Sequence, residues 1–180
     1  MIHIASMAIR EIRLPLKEPF RISSGVTRER RIALLELRDD SGATAWSECV
    51  AAETPNYSPE TIDTAWLAIT QWLAPRVIGR TFTSPGEVFP VLDEDVRGHL
   101  MAKAAIEMGA WGLQAMKLGM PLARLLGGTR REIDVGVSLG IQQSPEELVA
   151  RVTKALGEGY RKVKIKIMPG ADLEFVRAAR

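Results

Sequence analysis

The sequence predicts an α+β domain over residues 1–130, followed over residues 131–180 by the start of a parallel β/α structure. Residues 9–16, 31–38 and 43–50 alternate apolar and polar side chains as strands do, and residues 58–117 carry apolar side chains at helical spacing. Residues 133–180 then follow the order strand, helix, strand, helix with short connections, which is typical of parallel sheets. Two such units cannot close a barrel, which needs roughly 250 residues.

Composition excludes several classes of protein. The 180 residues are 46% apolar and 26% charged, as in globular proteins, and the net charge of +2 is too small to favour a nucleic-acid or membrane partner. Cys49 is the only cysteine, so no disulfide framework is possible and we expect a cytoplasmic protein. No apolar run approaches the roughly 18 residues of a membrane span.

The N-terminal third is predicted to be an antiparallel meander. Apolar residues alternate over 9–16, 31–38 and 43–50, which indicates three strands with one buried face. We expect residues 19–28 to be a mobile loop of the kind that serves as a lid, and His3 to lie in a frayed terminus.

Helices are expected to cover the open face of this sheet. Ser58 stands before Pro59 as a helix cap, and Ser84 begins a second capping motif. The longest helix is predicted over residues 97–117, with a stripe of mostly small residues facing the core. That stripe contains Met101, Ala104, Ala105, Met108, Trp111, Gly112 and Ala115.

The second segment contains the most informative pattern of the chain. An apolar strand over 133–141 precedes a capping motif at Ser144 and an amphipathic helix. In the next strand Val163, Ile165 and Ile167 alternate with lysines, so that Lys162, Lys164 and Lys166 share one face.

The lysine face has two interpretations. On an edge strand the lysines would lie in water and discourage aggregation. In a closed barrel the apolar face would pack on helices, and Lys164 and Lys166 would point inward. Buried ammonium groups must meet an anion or lose a proton, and a lysine that loses its proton can act as a base near neutral pH.

Several segments together resemble a known family. They are Lys164-Ile165-Lys166 within residues 159–170, and residues 101–108, 121–128 and 135–141. Over nearly the whole chain the sequence resembles the muconate-lactonizing branch of the enolase superfamily, and within it the o-succinylbenzoate synthase and N-acylamino acid racemase group. This resemblance implies an α+β capping domain over a modified (β/α)8 barrel, which agrees with the boundary near Arg130.

The resemblance also implies the chemistry, which is proton abstraction α to a carboxylate with a metal-stabilised enolate. Lys166 matches the general acid or base, and Lys164 matches a neighbour whose like charge lowers the proton affinity of Lys166. Mg²⁺ or Mn²⁺ is the implied cofactor, with all of its ligands on strands beyond residue 180, so no metal ligand is assigned within the chain.

Four further positions are implied to bind substrate. Phe20, Tyr57 and Ser138 match positions that line the pocket in this group. Ser24 stands where the mobile loop often carries an aromatic residue, and Ala52 stands where a methionine can occur. The smaller side chains imply a roomier or differently closed pocket.

The resemblance leads us to expect the N-terminal portion of an o-succinylbenzoate synthase, a dehydratase of menaquinone biosynthesis, or of an N-acylamino acid racemase. Muconate cycloisomerase and dipeptide epimerase are alternatives with the same fold, and a non-catalytic fragment or interaction module is an alternative of another class. We expect a small carboxylate substrate and a homo-oligomer at full length. The 180-residue chain alone is expected to be inactive.

Overall fold

The computed structural model of the protein describes residues 1–180, which form two compact units. The first unit comprises Met1–Leu14 and Arg30–Thr129, and the second comprises Pro15–Glu29 and Arg130–Arg180. The second unit therefore contains a short segment from the N-terminal part of the chain, in addition to the predicted β/α segment.

The strands are β1 (Ile2–His3), β2 (Ser6–Ile22), β3 (Gly25–Arg38), β4 (Thr44–Cys49), β5 (Thr81–Phe82), β6 (Gly136–Leu139) and β7 (Lys162–Ile165). The helices are α1 (Ile62–Ala68), α2 (Ala74–Val77), α3 (Val88–Asp93), α4 (Leu100–Lys117), α5 (Leu122–Leu125), α6 (Pro145–Gly157) and α7 (Asp172–Ala179). A π-helical turn, Ile69–Leu73, joins α1 to α2, and a 3₁₀ turn, Pro85–Glu87, precedes α3. No helix is both long enough and apolar enough to span a membrane.

The strands β2 and β3 form one long hairpin, in which only Ser23 and Ser24 lie between the two strands. The predicted loop at residues 19–28 is therefore wrong. Both faces of the hairpin tip are exposed, so its residues show no apolar alternation, although pairing of the two strands satisfies their backbone hydrogen bonds.

The N-terminus is also more ordered than expected. Ile2 pairs with Phe82 and His3 with Thr81, so β1 and β5 form a small antiparallel sheet. The His3 ring nitrogen Nδ1 lies 3.0 Å from the Thr81 hydroxyl oxygen, and Ile2 is fully buried. The expectation that His3 is frayed is wrong, because its partner strand lies almost 80 residues away in the sequence.

The core of the first unit lies between the β2-β3-β4 sheet and α4. The Ser47 hydroxyl donates a 2.6 Å hydrogen bond to the carbonyl oxygen of Ala105. A Cβ atom added at Gly109 would lie only 2.6 Å from a methyl carbon of Leu37. Glycine at 109 therefore permits the close approach of α4 to the sheet, which is the role that small residues commonly have in helix packing.

The buried face of α4 differs from the predicted stripe. Met108 is 46% exposed, and Ala104 and Trp111 are only half-buried. The buried residues are Ala102, Lys103, Ala105, Ile106, Gly109, Ala110, Leu113 and Ala115. Apolar side chains occur all around this helix, so the direction of the sheet, and not the periodicity alone, decides which of them are buried.

The cap of α1 is Thr61 and not Ser58. The Thr61 hydroxyl accepts from the backbone N–H of Thr64, and the Thr64 hydroxyl accepts from that of Thr61. The Ser58 hydroxyl instead accepts a 3.3 Å hydrogen bond from the N–H of Glu60. The buried Glu60 carboxylate in turn accepts 2.8 Å hydrogen bonds from the N–H groups of Met101 and Ala102. Glu60 thus caps the start of α4 from a distant loop, as carboxylates favour helix N-termini.

The second unit is a β-α-β-α arrangement. β6 and β7 are parallel, and Ser144 caps α6 by accepting from the N–H of Glu147 at 3.3 Å. The predicted order of strand, helix, strand and helix is confirmed, although β6 is shorter than residues 133–141.

Candidate functional site

The two lysines of interest lie at the end of β7. Ser138 of β6 is the register partner of Lys164, and the Lys166 backbone N–H donates a 3.1 Å hydrogen bond to the carbonyl oxygen of Leu139. Because side chains alternate along a strand and paired residues share a face, Ser138, Lys164 and Lys166 lie on one face of this strand pair.

The opposite face of β7 is apolar and turned towards the helices. Val163 and Ile165 line an open groove of about 310 Å³ together with Val152 of α6 and with Val176 and Ala179 of α7. The valine and isoleucine face is therefore the one turned towards α6 and α7, although it is not fully buried, and the lysine face is the one turned away from these helices. In a closed barrel of parallel strands, that face is the interior one.

The lysines are not deeply buried in the described chain. Lys164 is exposed and Lys166 is half-buried, and neither ammonium group has a hydrogen bond or ion pair within the second unit. Two strands alone therefore do not bury the two ammonium groups. Such burial requires further strands around the same face.

The tip of the β2-β3 hairpin, Pro15–Glu29, forms part of the same unit. The N–H of Ile141 donates a 2.9 Å hydrogen bond to the carbonyl oxygen of Arg21, just beyond the end of β6. A Cβ atom added at Gly140 would lie 3.1 Å from that oxygen and 3.5 Å from a ring carbon of Phe20. Phe20 therefore lies against the end of the strand that carries Ser138.

A second contact holds the hairpin tip. Nη1 of Arg151, on α6, lies 2.6 Å from the carboxylate oxygen Oε2 of Glu18. The hydrogen bond to Glu18 raises the pKa of the Arg151 guanidinium above its ordinary value, so this side chain stays charged at any relevant pH. Arg151 also lies 3.7 Å from Glu147, one turn earlier on α6.

The predicted site residues fall into two groups. The second unit brings together Phe20, Ser138, Lys164 and Lys166, with Ser24 in the exposed turn at the end of the hairpin. Tyr57 belongs to the first unit, where it is 95% exposed in the segment between β4 and α1. Ala52 is in that same segment and is half-buried.

Sequence reasoning missed Gly140, Glu18 and Arg151. A glycine directly after an apolar strand is a signal of close backbone approach, and that signal could have drawn attention to Gly140. Glu18 and Arg151 are 133 positions apart, and no local pattern connects them.

The chain contains neither a metal-binding cluster nor a reactive cysteine. No three His, Cys, Asp or Glu side chains are placed so that they could hold a metal ion. Cys49 is fully buried, and its burial raises the pKa of its thiol, so it does not present a reactive thiolate.

Comparison with known proteins gives consistent results. Residues 4–127 match the model of the mandelate racemase / muconate lactonizing enzyme N-terminal domain. The chain is 38% identical to o-succinylbenzoate synthase from Geobacillus kaustophilus over 179 residues, which are 99% of this chain and 48% of that protein. It is 41% identical to N-succinylamino acid racemase from Thermus thermophilus over 177 residues, 98% of this chain and 47% of that protein.

A solved structure of an enolase superfamily member from Listeria innocua superposes with a TM-score of 0.93 at 33% identity. The superposition covers 100% of this chain and 48% of that one. The chain thus spans about half the length of the relatives that it matches.

Proposed function

Because the chain belongs to the mandelate racemase / muconate lactonizing enzyme family of the enolase superfamily, we propose that it carries part of the active site of an enzyme that removes a proton α to a carboxylate. In this proposal residues 1–130 are an α+β capping domain, and residues 131–180 are the first β/α units of the barrel. The family membership confirms the family resemblance that residues 101–108, 121–128, 135–141 and 159–170 indicated.

One observation supports the roles of the lysines most directly, namely their place on the face of β7 opposite to α6 and α7. We assign Lys166 as the group that takes or returns the α-proton. Lys164, two residues before it on the same face, would favour the neutral amine of Lys166 through the repulsion of like charges.

The remaining residues would bind the substrate. Ser138 lies beside Lys164, and its hydroxyl could donate a hydrogen bond to a substrate oxygen. Phe20, at the end of β6, would offer an apolar surface and help exclude water. We keep Ser24 and Tyr57 as proposed contacts, because both are exposed and available to a ligand.

A divalent metal is expected in the whole protein, because sites of this superfamily combine a lysine or histidine base with Mg²⁺ that stabilises the enolate. The residues of this chain do not provide a ligand set, so the proposed ligands lie outside residues 1–180. The steps assigned here therefore concern only the proton and the orientation of the substrate.

Two reactions fit the proposal. The relative at 38% identity is an o-succinylbenzoate synthase, which favours dehydration of a cyclohexadiene carboxylate. The relative at 41% identity is an N-succinylamino acid racemase, which favours racemisation of an N-acylated amino acid. Both begin with loss of an α-proton, so one set of lysines can serve either reaction.

The test is exchange of the substrate α-proton with D₂O, followed by NMR in the protein at its natural length with Mg²⁺. Lys166→Ala should slow exchange by about 10²- to 10⁴-fold, because it removes the proposed base. Lys166→Arg should fail as well, since a guanidinium keeps its proton. Lys162→Ala is the matched control, because Lys162 is an exposed lysine on the same face at the start of β7.

Near-normal exchange in Lys166→Ala would refute the assignment and favour a solvated edge strand. Unmodified protein without exchange on either substrate class would favour a non-catalytic module. For residues 1–180 alone we predict no turnover with Mg²⁺, because the metal ligands proposed above would be missing.

A further inference from the structure

The hairpin tip, residues 15–29, has almost no apolar interior of its own. Most of its residues are exposed, and Phe20 and Val26 are 36% and 45% exposed. A two-stranded hairpin of this kind is only marginally stable without further contacts. The contacts that hold it in the second unit therefore decide where Phe20 lies.

The first of these contacts depends on the absence of a side chain at Gly140. The hydrogen bond from Ile141 to the Arg21 carbonyl oxygen brings the two backbones together. A Cβ atom at position 140 would lie 3.1 Å from that oxygen and 3.3 Å from the Arg21 nitrogen. Gly140 is not among the glycines with positive φ, so a substitution there tests the available space and not backbone strain.

The second contact is the ion pair between Glu18 and Arg151. Arg151 lies on α6, and its approach to Glu147 at 3.7 Å restrains the guanidinium near the hairpin. Glu18 is 65% exposed at its side chain, so salt should weaken the pair. The two contacts attach the tip to the end of β6 and to α6.

We propose that Glu18 and Arg151 are positioning residues that, with the close contact at Gly140, hold Phe20 over the carboxyl end of β6 and so set the affinity for substrate. This inference rests on the proposed function, because it assigns Phe20 to the substrate pocket. It adds that two residues of the β/α segment, Gly140 and Arg151, hold the hairpin tip in place. Substrate binding should therefore depend on a charge pair that does not touch the substrate.

The test uses Glu18→Arg, Arg151→Glu and the double variant with the charges exchanged, in the protein at its natural length. Hydrogen exchange of residues 15–29 should be faster in both single variants by about 2- to 5-fold, and should return towards the original rate in the double variant. Glu132→Arg is the control, because it makes the same charge change at an exposed carboxylate without a partner in the second unit.

Kinetics provide a separate readout. The single variants should raise KM by a similar factor with little change in kcat, and the exchanged pair should restore KM. Gly140→Ala should raise KM by a factor similar to that of the single charge variants, since a methyl group 3.1 Å from the Arg21 carbonyl oxygen requires a small shift of the hairpin backbone.

Two results would refute the proposal that Glu18 and Arg151 hold the hairpin tip. One is amide exchange in the single variants that is no faster than in Glu132→Arg, and the other is a double variant that restores neither the exchange rate nor KM. Faster exchange with unchanged KM would overturn the role of this pair in substrate affinity. A protein that lacks the proposed activity would refute the proposed function. Amide hydrogen exchange of residues 15–29 needs no substrate, so it would still decide whether Glu18 and Arg151 hold the hairpin tip.

Discussion

The two units of the chain differ in how they are held together. Nearly all buried apolar side chains lie in the first unit, and the second contributes only Leu148 and Ala155. Both units expose large apolar side chains, for example Leu100 at 60% in the first and Ile133 at 73% in the second, so the units differ in their buried core and not in their exposed apolar surface.

The difference separates stability from the proposed chemistry. Burial of apolar surface contributes roughly 25 cal/mol per Å², so the first unit holds most of the folding free energy of the chain. The proposed catalytic lysines lie in the unit with little core, on a strand whose neighbours are β6 on one side and no strand on the other. Substitutions in the two units should therefore have different consequences.

The largest expected difference comes from matched truncations of leucine. Leu113→Ala, in the core of the first unit, should lower the free energy of unfolding by about 2–5 kcal/mol, because the methyl groups leave a cavity. Leu156→Ala, on the exposed side of α6, should change it by less than about 0.5 kcal/mol. Urea unfolding followed by circular dichroism measures both, and equal losses would contradict the comparison.

Hydrogen exchange of the unmodified chain sharpens the same comparison. Amides of β7 should open at a free energy at least about 2 kcal/mol below those of β4. Both are edge strands, but β4 packs against α4 and contains buried residues, whereas β7 contains none. Equal protection of β4 and β7 in residues 1–180 would indicate that another chain completes the sheet.

Acid should destabilise the first unit through Asp39. Burial opposes ionisation of this carboxyl, but hydrogen bonds from Lys117, from the His3 N–H and from Ser41 outweigh it and hold the Asp39 pKa well below its ordinary value. A depressed folded pKa stabilises the fold above the unfolded pKa of about 3.9, and this stabilisation is lost as the pH falls below that value.

Asp39→Asn should therefore lower the free energy of unfolding by about 2 kcal/mol at neutral pH and by much less near pH 2. Asp134→Asn, at an exposed carboxylate of the second unit, is the control and should leave the pH dependence of unfolding unchanged. Thermal unfolding across pH 2–7 measures both, and an acid dependence that persists in Asp39→Asn would refute the assignment.

The smallest expected effect is at Lys164 and concerns activity alone. Lys164→Ala should lower proton exchange by only about 10-fold and move the pH-rate profile of the whole protein upward, since it removes a positive charge next to Lys166. Unfolding should be unaffected, because Lys164 is exposed and unpaired within its unit. A pH-rate profile that does not move in Lys164→Ala would contradict the proposed electrostatic effect of Lys164 on Lys166.

Local patterns in the sequence predicted those features that depend on neighbouring residues. The alternation of lysines with Val163 and Ile165 indicates a strand with two unlike faces, and Ser144 before Pro145 indicates the start of α6. Both hold because strand alternation and helix capping involve residues a few positions apart. The family resemblance likewise rested on contiguous segments around Lys164 and Lys166.

Only the tertiary structure decided the features that join distant segments. The buried face of α4 follows from where the sheet lies, and Glu60 caps that helix from a loop 40 residues earlier. The contact of Gly140 with the hairpin and the pairing of Glu18 with Arg151 depend on two segments that meet only after folding. No local periodicity encodes these contacts, because each is made by side chains or backbone groups whose partners are far away in the sequence.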